Sequence, residues 1–223
     1  MRARLSAAFC VAVLSLSACS SAPDAGEPVG STGAPPLGPL GIDVASEELV
    51  RLKAEAGMLD CPPSPEPDPE APQSPANPLP AMSLPCLGGG RDVRLDRVQG
   101  PLVLNLWASY CEPCRKELPI LQQVHEQAGD QLTVLGVDYE DAKPFQALKL
   151  ATESGVTYAS VADMDAVTAT ELQVVALPQT VFVDEFGSVV ATHRGEITSF
   201  EEAVQLLRTH LAVRLPELSV EVP

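Results

Sequence analysis

Cys111-Glu112-Pro113-Cys114 lies where an apolar run ends and a helical pattern begins. The run Leu102-Val103-Leu104-Asn105-Leu106-Trp107 is nearly continuous, as a central strand buried on both faces must be. Residues 115–128 carry Leu118, Leu121, Val124 and Ala128 at helical spacing, and Gly129 closes them. Two cysteines separated by two residues at such a junction have a specific chemistry. A helix N-terminus presents unpaired N–H groups and the positive end of the helix dipole, so it favours an anion. A thiolate at Cys111 is therefore expected to be the attacking sulfur, with Cys114 one turn further in as the resolving thiol. Attack on a disulfide leaves a mixed disulfide on Cys111, and Cys114 then closes the internal bond. Pro113 fixes φ in the first turn and removes a donor that this turn does not use. Half of a zinc site is the alternative. It needs two more ligands nearby, and His125, His193 and His210 are isolated. No metal and no cofactor is expected.

The other cysteines bear on compartment. Met1-Arg2-Ala3-Arg4 is a short basic start, and residues 5–16 form an apolar run too short for a comfortable membrane span. Together they read as a secretory signal over residues 1–18. It ends in Leu16-Ser17-Ala18-Cys19, which resembles the bacterial lipobox. That resemblance implies cleavage before Cys19, a thioether-linked diacylglycerol on it, and acylation (palmitate) of the new N-terminus. Several acyl chains anchor stably where one is marginal. The chain is then expected on the outer face of the cell membrane, tethered by residues 19–43, which are rich in Ser, Pro, Gly and Ala.

Residues 44–85 are expected to hold a helix over 44–58, capped by Asp43 or Ser46, and then an extended proline-rich segment over 62–85. Cys61 and Cys86 bracket that segment. Outside the membrane such a pair closes, and a loop of this length stabilises by roughly 3–4 kcal/mol in the chain-entropy model. The reading is a structural staple. The sharper alternative, a second redox pair exchanging with Cys111–Cys114, finds no support in the flanking residues. Fourteen basic against 30 acidic residues, a formal net charge of −16, argue against nucleic acid as a partner.

Residues 86–215 are expected to form an α/β domain, and 216–223 an acidic tail. Strands are expected at 93–95, 102–107, 132–137, 158–161, 180–183 and 189–192. Helices are expected at 115–128, 141–154, 165–172 and 200–211, the last capped by Thr198 or Ser199. Strand–helix–strand implies a right-handed crossover and parallel pairing. The hairpin 180–192 adds antiparallel strands, giving a central mixed sheet flanked by helices.

This order, with Cys-x-x-Cys on the first crossover helix, is the thioredoxin layout. The stretch from Leu104 to Pro119 resembles the signature of the TlpA/ResA branch of the thioredoxin superfamily, and Val175-Ala176-Leu177-Pro178-Gln179-Thr180 resembles its cis-proline segment. The resemblance spans about residues 82–213 and treats the helix and strand between 141 and 172 as that branch's insertion. It implies a lipid-anchored, extracytoplasmic thiol–disulfide oxidoreductase that reduces protein disulfides. Cytochrome c maturation is a common task of the branch, and a CcdA-like membrane protein a common electron donor. Glu117, three residues after Cys114, is implied as the acid that handles protons for the cysteines. Asn105 stands where thioredoxins keep a buried aspartate, and Tyr110 where they carry a second tryptophan. Leu177–Pro178 is implied to be cis and to face the cysteines. Ala176, Leu177 and Pro178, with Tyr110 and Trp107, are assigned to the partner-binding surface, Trp107 also packing under the active-site helix.

Three other functions compete. The same dithiol could run as an oxidant, since direction depends on a few kcal/mol of thiolate stability. Glu112, between the cysteines, opposes a thiolate and tilts the pair toward reduction of its partners. A thiol peroxidase needs Thr or Ser three residues before the attacking cysteine, and Ala108 is there. A copper-binding relative of the fold needs Cys-x-x-x-Cys and a placed histidine, and the chain has neither.

Overall fold

The structure, a computed structural model, describes residues 40–66 and 75–215. The expected signal, Cys19, most of the tether and the tail lie outside the described residues. Among the described residues no helix is long and apolar enough to cross a membrane.

Strand β3 (Leu102–Trp107) is buried along its whole length. It sits at the centre of a five-stranded sheet with β4 (Thr133–Tyr139), β5 (Ser160–Asp163), β6 (Gln179–Val183) and β7 (Val189–Arg194), in the order β5-β4-β3-β6-β7. β3, β4 and β5 run parallel, while β6 and β7 run antiparallel to their neighbours. Alternation along β3 divides the interior. Val103 and Trp107 enter one core with helices α1 (Glu47–Glu55), α2 (Glu112–Ala128), α3 (Pro144–Glu153) and α4 (Phe200–His210). Leu102, Leu104 and Leu106 enter the opposite core with Val93, Leu95, Cys61 and Cys86. The thioredoxin-like α/β fold with a mixed sheet is thus present, and α3 with β5 forms the extra helix–strand unit.

The folded body begins before residue 86, where the sequence reading placed it. Val44 and Leu49, at and near α1, are core residues. Ser83–Leu84 (β1), inside the segment 62–85 expected to lack regular structure, pairs with Val93–Arg94 (β2), which lies in the expected strand 93–95. The same segment also covers both edges of the main sheet. Val189 N–H donates to Asn77 O at 2.7 Å, and Asn77 Nδ2 donates back to Val189 O at 3.1 Å. At the other edge Leu87 N–H donates to Ser160 O (2.9 Å) and Ala162 N–H to Pro85 O (2.8 Å).

Two expected helices are corrected. Residues 165–172 form successive turns. The Asp163 carboxylate takes the N–H groups of Val167 (2.8 Å) and Thr168 (3.0 Å), as it would at the start of a helix, but no regular helix follows. Ala166 and Gln173 adopt positive φ of 51° and 49°, which also ends any helix there. Helix α3 starts at Pro144 rather than at 141. Asp141 Oδ1 accepts from Lys143 N–H at 3.0 Å, and the residue before a proline resists the helical conformation.

Gly136 on β4 is required by packing. A Cβ there would collide with Ser160 Oγ and lie 2.8 Å from Trp107 Nε1. Trp107 is fully buried on the same face. Gly136→Ala is expected to destabilise the protein by about 1–3 kcal/mol, read as a lower midpoint in chemical denaturation.

Candidate active site

β3 ends at Trp107, and the chain turns through Ala108, Ser109 and Tyr110 into α2. Cys111 is the N-cap of α2, in extended backbone conformation (φ −88°, ψ 106°). Its Sγ accepts from Cys114 N–H at 3.2 Å, as a cap side chain should. Cys111 and Cys114 are joined at an S–S distance of 1.96 Å. Cys111 is 8% exposed and Cys114 fully buried, so an incoming group reaches Cys111 first.

Glu117 lies one turn beyond Cys114 on α2 and is fully buried. Its Oε2 accepts from Asn105 Nδ2 at 3.0 Å and its Oε1 from Ile197 N–H at 3.1 Å. Burial pushes the carboxyl up to about 7, against these two hydrogen bonds, which pull it down; Glu196 and Glu202 add to the rise. Asn105 also donates to Thr180 Oγ1 at 3.1 Å, tying β3, α2 and β6 around the acid.

Leu177–Pro178 is a cis peptide. Tyr110, Cys111, Glu112 and Pro113 line one side of a cleft of about 460 Å³, and Val174–Leu177 line another. Tyr110 is 64% exposed and Val175 77%, so the cleft has an apolar rim. Pro178 follows directly, its carbonyl accepting from Gly195 N–H at 3.0 Å. The expected partner surface is corrected at Trp107. That side chain points into the core, wedged over Gly136, and cannot touch a partner. The strand's alternation turns it inward, into the packing role under the active-site helix.

Two acids that the sequence reading passed over lie by the active-site loop. Asp141 Oδ2 accepts from Ser109 N–H at 2.7 Å. Asp138, opposite Trp107 in the β3–β4 register, is fully buried. Neither of its oxygens meets an N–H or hydroxyl donor. Burial, then the nearby charge of Asp141, push the Asp138 carboxyl well above the usual carboxylate range. Asp141, through its contact with Ser109 N–H, grips the loop two residues before Cys111. Asp141→Ala is expected to cost about 1–3 kcal/mol and to speed amide exchange at Ser109.

A redox dithiol capping the helix that leaves the central strand, facing a cis-proline loop, defines a thioredoxin-like thiol–disulfide oxidoreductase. By residues 75–192, which match the model of the AhpC/TSA family, the chain belongs to that family. It is 29% identical over 124 residues to the thioredoxin-like protein YneN of Bacillus subtilis, covering 55% of this chain and 72% of that one. It is 30% identical over 122 residues to the thiol:disulfide interchange protein DsbE of Pseudomonas fluorescens, covering 54% and 66%. The thiol-disulfide oxidoreductase ResA of Halalkalibacterium halodurans is 24% identical over 123 residues, covering 53% and 69%. In structure this chain is similar to a secreted thiol-disulfide isomerase from Corynebacterium glutamicum, with a TM-score of 0.52 and 29% identity over 60% of this chain and 83% of that one.

Proposed function

We propose that this protein is an extracytoplasmic, lipid-anchored reductase of protein disulfides. The observation that carries the reading is the Cys111–Cys114 pair set above buried Glu117. A negative charge beside a dithiol disfavours the thiolates of its reduced form, so the pair gives up electrons more readily. Glu117 supplies such a charge from below whenever it is ionised, and Glu112 another from outside.

The partner's extended segment lies in the cleft, against Ala176, Leu177 and Tyr110, and its disulfide meets Cys111. The Cys111 thiolate attacks one partner sulfur, and the other leaves with the bonding electron pair. Glu117, ionised, accepts the proton of Cys114. The Cys114 thiolate attacks Cys111, the internal disulfide forms, and the partner departs reduced by two electrons. A membrane dithiol donor of the CcdA type restores the reduced pair, and apocytochrome c is the partner class that the branch suggests. The names of the DsbE and ResA relatives agree with this chemistry, and the lipobox-like end of the signal supports anchoring at Cys19.

Cys114→Ser removes the resolving thiol, so mixed disulfides on Cys111 are expected to accumulate in cells. Mass spectrometry of the adducts would name the partner, and adducts mapped to other cysteines would exclude Cys111 as the attacking group. Cys19→Ala is expected to move the protein from the membrane fraction to the soluble one.

A further inference from the structure

The disulfide between Cys61 and Cys86 lies in the core on the far side of the sheet from Cys111 and Cys114. Its surroundings are not those of a plain staple. Lys53, on the buried face of α1, is only 6% exposed. Its ammonium has three donors and three neighbours: Gly89 O at 2.8 Å, Asp60 Oδ1 at 3.1 Å and Cys86 Sγ at 3.4 Å. The third is a poor acceptor while the sulfur is in a disulfide and a strong, charge-assisted one when it is a thiolate. The other sulfur has the opposite neighbour. Cys61 Sγ lies 3.4 Å from Ser160 O, a contact that only a protonated thiol can use. Each sulfur thus faces the partner that its reduced form needs, and the oxidised form uses neither contact well.

We propose that Cys61–Cys86 is a second redox-active site, in which Lys53 holds Cys86 as a thiolate and Ser160 O takes the thiol proton of Cys61. The co-reactant is a dithiol. One of its thiolates attacks Sγ of Cys86, which lines a cavity, the Cys61–Cys86 bond breaks, and the electron pair leaves on Cys61, which takes up a proton beside Ser160 O. The second thiolate attacks its partner sulfur in the mixed disulfide and expels Cys86 as the thiolate beside Lys53. The dithiol ends as a disulfide, having given two electrons. One of its two protons rests on Cys61 and the other is in solvent. A leaving thiol of low pKa departs faster, which speeds the release of Cys86 in this second step.

The charged groups around Cys86 are of both signs. Cys86 lines a cavity of about 330 Å³ together with Asp43, Asp92, Asp163 and Asp165. Asp43 and Asp165 accept from backbone N–H groups of Ala45 and Leu40, and Asp163 from those of Val167 and Thr168. These carboxylates oppose a thiolate. Lys53 is the charged group in contact with the sulfur itself, where Coulomb energy is greatest. Asp60, on the far side of Lys53, is exposed to solvent and screened.

The test uses the full chain with Cys111→Ser and Cys114→Ser, so its outcome does not depend on the function proposed above. The protein is equilibrated with reduced and oxidised dithiothreitol between pH 6 and 8, alkylated, and mapped by peptide mass. A reduced pair that keeps only one proton makes the apparent reduction constant rise about tenfold per pH unit. A flat profile, as for two ordinary thiols that stay protonated below about pH 8, overturns the proposal. Adding Lys53→Met is expected to flatten the profile and lower the constant at pH 8 at least tenfold. An unchanged slope in that variant overturns the role of Lys53. If that variant does not fold, the pH profile with Lys53 in place still decides whether the site holds a thiolate.

Discussion

Cys111→Ser is expected to bring reduction of insulin disulfides to background, a loss of at least ~10³-fold, because a serine hydroxyl at this position is not ionised near neutrality. The fold should survive the change. Cys111 caps α2 through Sγ, and serine is itself a good N-cap, so the Cys114 N–H keeps an acceptor. A cooperative melting transition with lost turnover is therefore the expected pair of results. Turnover retained in the variant would mean that another sulfur attacks the substrate, and the only cysteine in reach on α2 is Cys114, one turn deeper and fully buried.

Glu117→Gln has the second large effect, in stability and in rate. The Glu117 carboxyl titrates near 4.5 unfolded and at about 7 folded. Between these values the folded state binds the proton more tightly, so stability falls as pH rises. The contribution is fully present below about 4.5 and lost as pH passes through 7. The full swing is about 3 kcal/mol. Replacing the acid by an amide removes this slope, so the difference in stability between the two proteins should change by that amount from pH 4 to pH 8. Asp138 contributes a slope of the same sign in both proteins and cancels in the comparison. The kinetic effect appears where Glu117 is ionised. On the proposed role of Glu117 as acceptor of the Cys114 proton, the step that releases the partner is expected to slow by about 10²-fold above pH 7 in the variant. A rate–pH profile identical to that of the unaltered protein would leave Glu117 a structural role only.

The dithiol, its helix and the strand before it were legible because their signals are local. An apolar run, a cap position and a 3.6-residue period all lie within about 25 residues of one another. Glu117 was legible through its place in a known motif. Asp138 and Asp141 were not. Seen in sequence, they are two acids at the end of a strand, and only the register that sets Trp107 opposite Asp138 brings them under the active-site loop. Lys53 was hidden for the same reason: 33 positions separate it from Cys86. The expected helix at 165–172 failed on the backbone. Helical spacing is present there, but Ala166 and Gln173 adopt positive φ, which breaks the run. Trp107 was misplaced because two residues close in sequence on a strand and its loop can face opposite directions.

The segments laid along β5 and β7 have a bearing on what the protein can safely handle. A molecule that meets incompletely folded chains with free sulfurs is exposed to strands looking for a partner. Bare edges on its own sheet would recruit them, and the complexes would grow by pairing rather than dissolve after exchange. Here residues 77–78 occupy one border and 85–87 the other. On the function proposed above, backbone pairing is thereby steered to the short loop before Pro178 and lasts only as long as the sulfur bond.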